Sequence, residues 1–534
     1  MPRQWAGYTL AFFVGLAFTA WLVPRRLLAP VNYYDEAAVD DTGQHIIGQR
    51  YFILDQWRIP PLETQLLRWP EGTNIALTDS IPLLAIPAKL LKRVLPPGFH
   101  TIFWFLAIAW CLQPVAAVYA LRSAGEKRLL PSFAVSVIAL SLPTLLQRGL
   151  RPHESLCGHF LILVAIGLYF RISRGSKLAA WLGAPALLAS SLLIHPYLMA
   201  MVAGVLIAAP LSLLIRRDPL RLPASMAFLA AITITAGLAL ALGYTQEVGV
   251  GRGYGLYGMN LFAPVDPTGS GIVPFVSAAM RASGLQSEGY QYLGAGVLLL
   301  CLVATISICY RPPKRICARH SGLLIVALGF VLFALSTNVY SGTTLVCHFD
   351  HAPGIFNTFR SSGRFFWPVA YLLVIGSITA VMRRLPSRAG VSILLIAAGL
   401  QFIDATSLRN RLHAHLRRAV EWQIDRQSLG PLMQHSDRLT LWPRFECAGN
   451  IIWDQQYLQV LLLASQYGLR TNTMYTPNPK ETGPCRAADV IGQPLEQGEL
   501  RIILPAASAD DLLASNSRDS CRKIGHLTAC ANPP

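Results

Sequence analysis

"FLAIAWCLQPVAAVYALRSAGEKRLLPSFAVSVIALSLPTLL" occupies residues 105–146. Two apolar runs, each close to the ~20 residues that span hydrocarbon, flank a short loop carrying Arg122, Lys127 and Arg128 against one acid, Glu126. The pattern recurs along the chain. Candidate spans lie near 7–23, 101–121, 129–147, 158–171, 178–194, 197–215, 224–243, 291–310, 321–338, 366–383 and 390–405. Only 14% of residues are charged and mean hydropathy is +0.43, whereas roughly a quarter of a soluble chain is charged. The expectation is an all-α polytopic membrane protein with about eleven transmembrane helices.

The net charge of +17 does not imply a nucleic-acid partner, because the basic residues form no single patch. They sit in short loops: Arg122/Lys127/Arg128, Arg171/Arg174/Lys177, Arg216/Arg217/Arg221, Arg311/Lys314/Arg315/Arg319 and Arg383/Arg384/Arg388. Simple alternation of the spans puts all five on one side, which the positive-inside rule makes cytoplasmic. The N-terminus is then inside and the C-terminus outside, with Arg25 and Arg26 on the wrong side of the scheme. No small-residue cleavage site follows the first span, so it reads as an anchor. Residues 83–95, "LLAIPAKLLKRVL", are apolar but short and basic, as in a helix lying along the outer interface.

Residues 24–100, 148–157, 244–290, 339–365 and the tail after 405 share the outer face in this scheme. The division is a membrane module over 1–405 and an extracytoplasmic domain over 406–534. The tail alternates strand-like "RLTLW" and "ELRIILP" with helical "QYLQVLLLASQYG", which predicts a small α/β domain. Its four cysteines, Cys447, Cys485, Cys521 and Cys530, imply two disulfides of undetermined pairing. Cys157 and Cys347, both in outer loops, form a further candidate pair.

The outer loops also gather the polar residues. The first offers Asp35, Glu36, Asp40, Asp41, His45, Asp55, Glu63 and Asp79. "RGLRPHESLCGHF" (148–160) adds Arg148, Arg151, His153, Glu154 and His159; later loops add Asn260, Asp266, Asp350, His351, Arg360 and Arg364. Two readings of Asp79 stay open: N-cap of a helix starting near Ile81, or site residue. His195, in "LLIHPYLM", reads as a helix-end residue. Arg148, His153 and His159 have no ligand spacing that supports zinc, so no metal set is expected. Acids suited to general-base work beside cations suited to a phosphate point to transfer from a lipid phosphate carrier to a hydroxyl.

"DDTGQHIIGQRYF", "PEGTNIALTDSIPLLAIPAKLL", "RPHESLCGHFLILVAIGLYFR", "YGMNLFAPVDP", "EGYQYLGAGVLLL" and "FRSSGRFFWPVAYLLVI" together resemble an uncharacterised family of bacterial inner-membrane proteins. That family is similar to the GT-C superfamily of polytopic glycosyltransferases. The resemblance implies a GT-C-like membrane module in the bacterial inner membrane. It also implies a polyprenyl-phosphate-linked sugar donor, a lipid- or polysaccharide-linked acceptor and a catalytic Asp in the first outer loop. That Asp falls on Asp40/Asp41, with Asp41 favoured as the base because "DTGQH" fits an Asp-x-x-Gln-His stretch. On this reading Asp79 is a second acid. Arg360 and Arg364 hold the donor phosphate, and His45, His153, His159 and Asn260 serve substrate binding. A monophosphate donor and no obligatory metal or other cofactor are expected. The alternative is a lipid-linked oligosaccharide flippase or transporter, or an O-antigen-type polymerase. Transporters often show repeats and mid-membrane ionisable groups, and neither stands out here.

Overall fold

The computed structural model describes residues 2–29, 39–151, 153–245, 253–273, 284–310, 316–445, 447, 455–476, 485–486, 492–505 and 521–532. Asp35, Glu36, Arg311, Lys314 and Arg315 lie outside them. The chain opens with α1 (Pro2–Leu22) and α2 (Asp40–Leu54). A short ladder of β1 (Glu63–Thr64) and β2 (Thr73–Asn74) leads to α3 (Pro82–Leu90). Next come α4 (Ile102–Ala124), α5 (Leu129–Leu140), α6 (Pro143–Leu150) and α7 (Phe160–Ile172). They are followed by α8 (Ala184–Ile194), α9 (Pro196–Ile215), α10 (Arg221–Ala241) and α11 (Ala295–Tyr310). A short α12 (Ile316–Arg319) and α13 (Ser321–Leu335) precede the hairpin β3 (Asn338–Ser341) and β4 (Thr344–His348). α14 (Trp367–Arg384), α15 (Ser387–Asp404) and α16 (Thr406–Arg417) close the helical part.

Among the described residues, eight helical stretches are long and apolar enough to cross a membrane. Three shorter apolar helices, Ala179–Ile194, Ala295–Tyr310 and Ser321–Leu335, also coincide with expected spans. They are shorter than the ~20 residues a straight crossing takes, so helix length alone picks out eight of the eleven expected spans among the described residues. The chain is a multi-pass membrane protein. Two prolines shape the bundle. Leu142 before Pro143 and His195 before Pro196 are both extended, because the proline ring clashes with a helical residue ahead of it. Each ends one helix and starts another.

The basic loops meet one another. Arg383 donates to the Ala124 carbonyl (2.6 Å), Arg384 to that of Ser307 (3.2 Å) and Arg128 to Ser387 Oγ (2.8 Å). Two of these bonds satisfy carbonyls near helix C-termini, where a cation is also favoured by the helix dipole. Arg26, on the wrong side of the charge scheme, also serves a helix end: its guanidinium donates to Leu416 O at 3.0 Å. Arg417 donates back to Leu22 O at 3.2 Å, tying the end of α1 to that of α16.

The C-terminal part contains α17 (Arg426–Gln434), β5 (Arg438–Trp442), α18 (Gln455–Tyr467), β6 (Arg470–Thr471), β7 (Glu499–Ile503), β8 (Cys521–Ile524) and β9 (Leu527–Asn532). The strands form one sheet in the order β6-β5-β7-β9-β8. β6, β5 and β7 run parallel, while β9 pairs antiparallel with β7 and β8. The expected α/β character holds, and the cysteines pair as Cys447–Cys485 and Cys521–Cys530. Cys521 and Cys530 are register partners across β8 and β9. Cys157 and Cys347 are unbonded, correcting that candidate pair: one is buried before α7, the other exposed on β4.

The edge strand β6 is covered by the first long loop. Trp69 N donates to Thr471 O (2.7 Å) and Thr471 N to Leu66 O (2.8 Å), which removes an unpaired edge. Asp55 organises that loop. Its carboxylate accepts from Arg58 Nε (2.7 Å), Thr64 Oγ1 (3.1 Å) and the backbone N–H groups of Gln56 (2.8 Å) and Gln65 (2.9 Å). Burial raises its pKa, but the Arg58 hydrogen bond and the two N–H groups outweigh that and hold it below the usual carboxylate range. A depressed folded pKa contributes stability above the unfolded value, lost as pH falls through the folded one. Asp55→Ala should therefore cost about 1–3 kcal/mol at neutral pH. In thermal unfolding, the gap from wild type should close at acid pH; a gap independent of pH would overturn the account.

Candidate active site

Helix α2 is buried along almost its whole length, from Gly43 to Ile53, and the segment 75–81 lies directly against it. A Cβ on Gly48 would overlap Thr78 Oγ1 and sit 2.5 Å from Ser80 Oγ, so only glycine allows this approach. Four polar contacts fasten the segment. Ser80 Oγ donates to His45 O (2.9 Å), Gln49 Nε2 to Ser80 O (2.9 Å) and Gln44 Nε2 to Leu77 O (3.4 Å), while Thr78 and Ser80 hydroxyls meet at 2.7 Å. Asn74 caps the single turn Ile75–Thr78 by accepting from Ala76 N at 2.9 Å.

Asp79 follows that turn in the left-handed region at φ 51°. The N-cap of α3 is Ile81, with Pro82 next and no side-chain cap bond. The capping reading of Asp79 is thus corrected: Pro82 has no N–H to give, and the Asp79 side chain turns to two histidines. Asp79 Oδ1 lies 3.3 Å from His195 Nε2, and Oδ2 lies 3.9 Å from His45 Nε2. Ile81 (φ 52°) and Asp40 (φ 53°) are also left-handed. Such backbones are costly for non-glycine residues and cluster at functional sites.

Glu154 sets the orientation of His45: Oε2 is 2.7 Å from His45 Nδ1, and Oε1 accepts from Thr42 Oγ1 at 2.5 Å. His45 Nε2 is buried without a hydrogen-bond partner and points toward Asp79. On the neighbouring turn, His153 Nε2 lies 2.9 Å from Asp41 Oδ2. Burial would lower the His45 pKa, but Glu154, Asp79 and Asp41 together raise it. Burial would raise the pKa of Asp41 and of Asp79; His153 and His45 hold the first low, and His195, His45 and His153 the second. Asp40 differs. Burial and the charge of Asp41 raise its pKa, so the adjacent acids have opposite characters.

Ligand atoms of His45, Asp79 and His153 all fall within 4.8 Å of one another. Sequence spacing shows no metal set; folding brings one together from three separate segments. Two imidazoles with a carboxylate suit a transition-metal ion, and the Glu154 bond to His45 Nδ1 is the outer partner such a ligand needs. The orphaned His45 Nε2 fits the same reading.

Beside this cluster stands a cationic cage. Glu288 Oε2 accepts from Arg148 Nη1 (3.2 Å) and from Arg364 Nε (3.1 Å) and Nη2 (2.7 Å), and Oε1 accepts from Arg151. The charges of Arg364 and Arg148 act on His153, so cage and cluster adjoin. Arg360 does not join Arg364 there; it lies over the Tyr257 ring at 5.9 Å. It also bonds to Tyr475 of the C-terminal part, whose phenol is pushed up to about 12 by burial and by Asp41 and Asp79, against Arg360. His159 is buried elsewhere, its Nδ1 2.9 Å from Tyr371 OH and its ring 4.2 Å from Trp367. Asn260 serves loop packing, donating to Gly342 O (2.8 Å) and accepting from Gly342 N (3.0 Å). Neither reaches the cluster. Glu288 and Tyr475 are participants that the sequence reading did not name, while Glu154 appeared there only as a loop acid and His195 only as a helix-end residue.

Two cavities adjoin the site. One, of about 520 Å³, is lined by Asp40, Thr42, Arg151 and Glu154 together with Arg418 and Trp422 after α16. The other, of about 410 Å³, is an apolar groove between Leu83, Phe105, Leu161, Leu187 and Ile194, which ends one residue from His195.

Residues 12–406 match a family described as Domain of unknown function (DUF6311), and residues 429–532 match the DUF6311 C-terminal domain. The chain belongs to the DUF6311 family. No curated protein matches this DUF6311 chain. Among solved structures it is similar to the archaeal oligosaccharyltransferase AglB from Archaeoglobus fulgidus, in complex with an inhibitory peptide and a dolichol-phosphate. The identity is 11% and the TM-score 0.45, covering 98% of this chain and 74% of that one. It is also similar to the Archaeoglobus fulgidus oligosaccharyltransferase in complex with zinc and sulfate, at 12% identity and TM-score 0.45, covering 98% of this chain and 73% of that one.

If the cluster holds a divalent ion, the purified full-length DUF6311 chain should take up manganese or zinc. Uptake should be lost in His45→Ala and Asp79→Ala, and affinity should fall by about 10- to 100-fold in Glu154→Gln. Metal content after gel filtration is the measurement. Equal uptake by wild type and His45→Ala would overturn the assignment.

Proposed function

We propose that this protein transfers a sugar from a polyprenyl-phosphate-linked donor to a lipid- or polysaccharide-linked acceptor. The reaction is placed at the periplasmic face of a bacterial inner membrane. The observation that carries this reading is the juxtaposition of an acid–histidine cluster with a cage of three arginines, both built from α2, the end of α6 and the segments between the apolar helices. An anion is held by the forked donors of Arg148, Arg151 and Arg364; Arg364 keeps the phosphate role expected of it, and Arg360 acts through Tyr475. The apolar groove ending at Ile194 suits a prenyl chain. The polar cavity lined by Asp40 suits the acceptor glycan.

In the proposed reaction the acceptor oxygen attacks the anomeric carbon. The bond from that carbon to the phosphate oxygen breaks, and Asp41 takes the hydroxyl proton. Asp79 positions His45 and His195 around the sugar, and Glu154 keeps His45 in one tautomer. His45, Asp79 and His153 would hold a divalent ion if one is required, and its chemistry would be to offset charge on the leaving phosphate. The ionisable groups lie on the short helix α2, at the ends of the apolar spans and in the segments between them, away from the middle of those spans, which supports an enzyme over a flippase or transporter.

Asp41→Asn in isolated membranes should lower sugar transfer by about 10²–10⁴-fold while the protein still folds. Native mass spectrometry of that variant should show a co-purifying polyprenyl phosphate with a hexose-sized mass. Full retained activity would remove Asp41 from the base role. A bound lipid-linked oligosaccharide with no mono-glycosylated carrier would favour a flippase or polymerase.

A further inference from the structure

The cage has more positive charge than its single acid balances. Three guanidiniums converge on Glu288, and the side chains of Arg148 (3% exposed), Arg364 (8%) and Glu288 (13%) are largely removed from water. Arg148 Nε is buried with no hydrogen-bond partner. Burying like charges this way is expensive unless something offsets them. Glu288 is the acid that contacts all three guanidiniums, and the three arginines together with His153 hold its pKa well below the ordinary range against the effect of burial. The carboxylate stands where the phosphate of the proposed donor would stand.

The backbone carrying Glu288 is fixed. Gln286 Oε1 accepts from Asn260 Nδ2 at 3.3 Å, and Gln291 Nε2 donates to Gly363 O at 2.7 Å. A Cβ on Gly363 would sit 2.6 Å from Gly289 Cα, and one on Gly289 would overlap Gly258 O. The chain is therefore pinned on both sides of residue 288, and the carboxylate can leave the cage only by side-chain rotation.

We infer that Glu288 is a specificity-determining residue for the donor: it occupies the phosphate position and yields it to a phosphate but not to a carboxylate. This inference rests on reading the cage as the donor-phosphate site. An incoming carboxylate exchanges two oxygens for two oxygens, and gains nothing against the cost of its own desolvation. A phosphate ester brings tetrahedrally disposed oxygens and can engage all three forks, including the unpartnered Arg148 Nε. Single-chain carboxylates such as free fatty acids are thereby turned away by competition, a specificity set by exclusion as much as by attraction.

The test uses the full-length protein in nanodiscs, with farnesyl phosphate and palmitate as probes and binding followed by microscale thermophoresis. Wild type should bind farnesyl phosphate and discriminate strongly against palmitate. Glu288→Gln should bind farnesyl phosphate about tenfold more tightly, and palmitate should become a competitor, collapsing the ratio by at least about tenfold. Weaker phosphate binding in Glu288→Gln, or an unchanged ratio, would overturn the role of Glu288 and leave the cage reading intact. Failure of wild type to bind farnesyl phosphate would instead sink the cage as a donor site, and the inference with it. Should Glu288→Gln fail to fold, Glu288→Asp keeps the charge one methylene short of the guanidiniums. It should show a ratio between the two, and a wild-type ratio would count against the proposal.

Discussion

The closeness of α2 to the 75–81 turn is the constraint on which the site depends. Without a side chain at Gly48, the hydroxyls of Thr78 and Ser80 lie against the helix. Through Ser80 they bind the carbonyl of His45 itself. Together with the bonds from Gln49 to Ser80 O and from Gln44 to Leu77 O, that contact sets the distance between the helix bearing Asp41 and His45 and the turn bearing Asp79. A helix face and a turn held at one separation can present ligand atoms that converge; held an ångström apart, the same residues would be solvated singly. The left-handed backbones at Asp79 and Ile81 follow from this, because the chain must reverse within two residues to leave α2 and enter α3.

Electrostatics then divides the site. Asp79, Asp41 and Glu154 face three histidines, while three arginines face Glu288, and His153 lies between the two groups and feels both. Asp41 and Asp79 are held low by the histidines they face and Glu288 by its arginines, with no long-range pairing needed. Glu154 acts at one remove, fixing His45 through Nδ1, much as outer carboxylates hold ligating histidines elsewhere. Charge that would be costly in isolation is tolerable here because every buried member has an opposite neighbour within a few ångströms.

Much of the fold was legible from residues 105–146 outward, since apolar length and basic loops are properties of sequence alone. The C-terminal strands and α18 were legible for the same reason, period and composition. Helix length was not: α11 begins only after the left-handed Gly294 and α13 ends before the left-handed Ser336, so each stops short of the expected span. Asp41, Asp79, His45 and His153, each a polar residue of an outer loop in the sequence reading, are brought together by the fold. Their grouping as a ligand set was invisible, because it needs three segments and the Gly48 contact. His195 read as a helix-end residue and is one, with Nδ1 accepting from Tyr197 N at 3.1 Å; its other nitrogen is what reaches Asp79. Asn260 and His159 misled because loop position alone does not separate a site residue from one that packs loops or lines a helix interface.

The paired acids at the start of α2 show how one short stretch can serve two faces. Successive helical residues point about 100° apart, so neighbours in sequence cannot share a face. Asp41 turns toward His153 and the cluster; Asp40 turns to the polar cavity under Trp422. Burial with a like charge next door raises Asp40, and the hydrogen bond from His153 lowers Asp41. An acid on each side of a helix end, one facing the histidine cluster and the other a polar cavity, gives two consecutive residues opposite electrostatic surroundings.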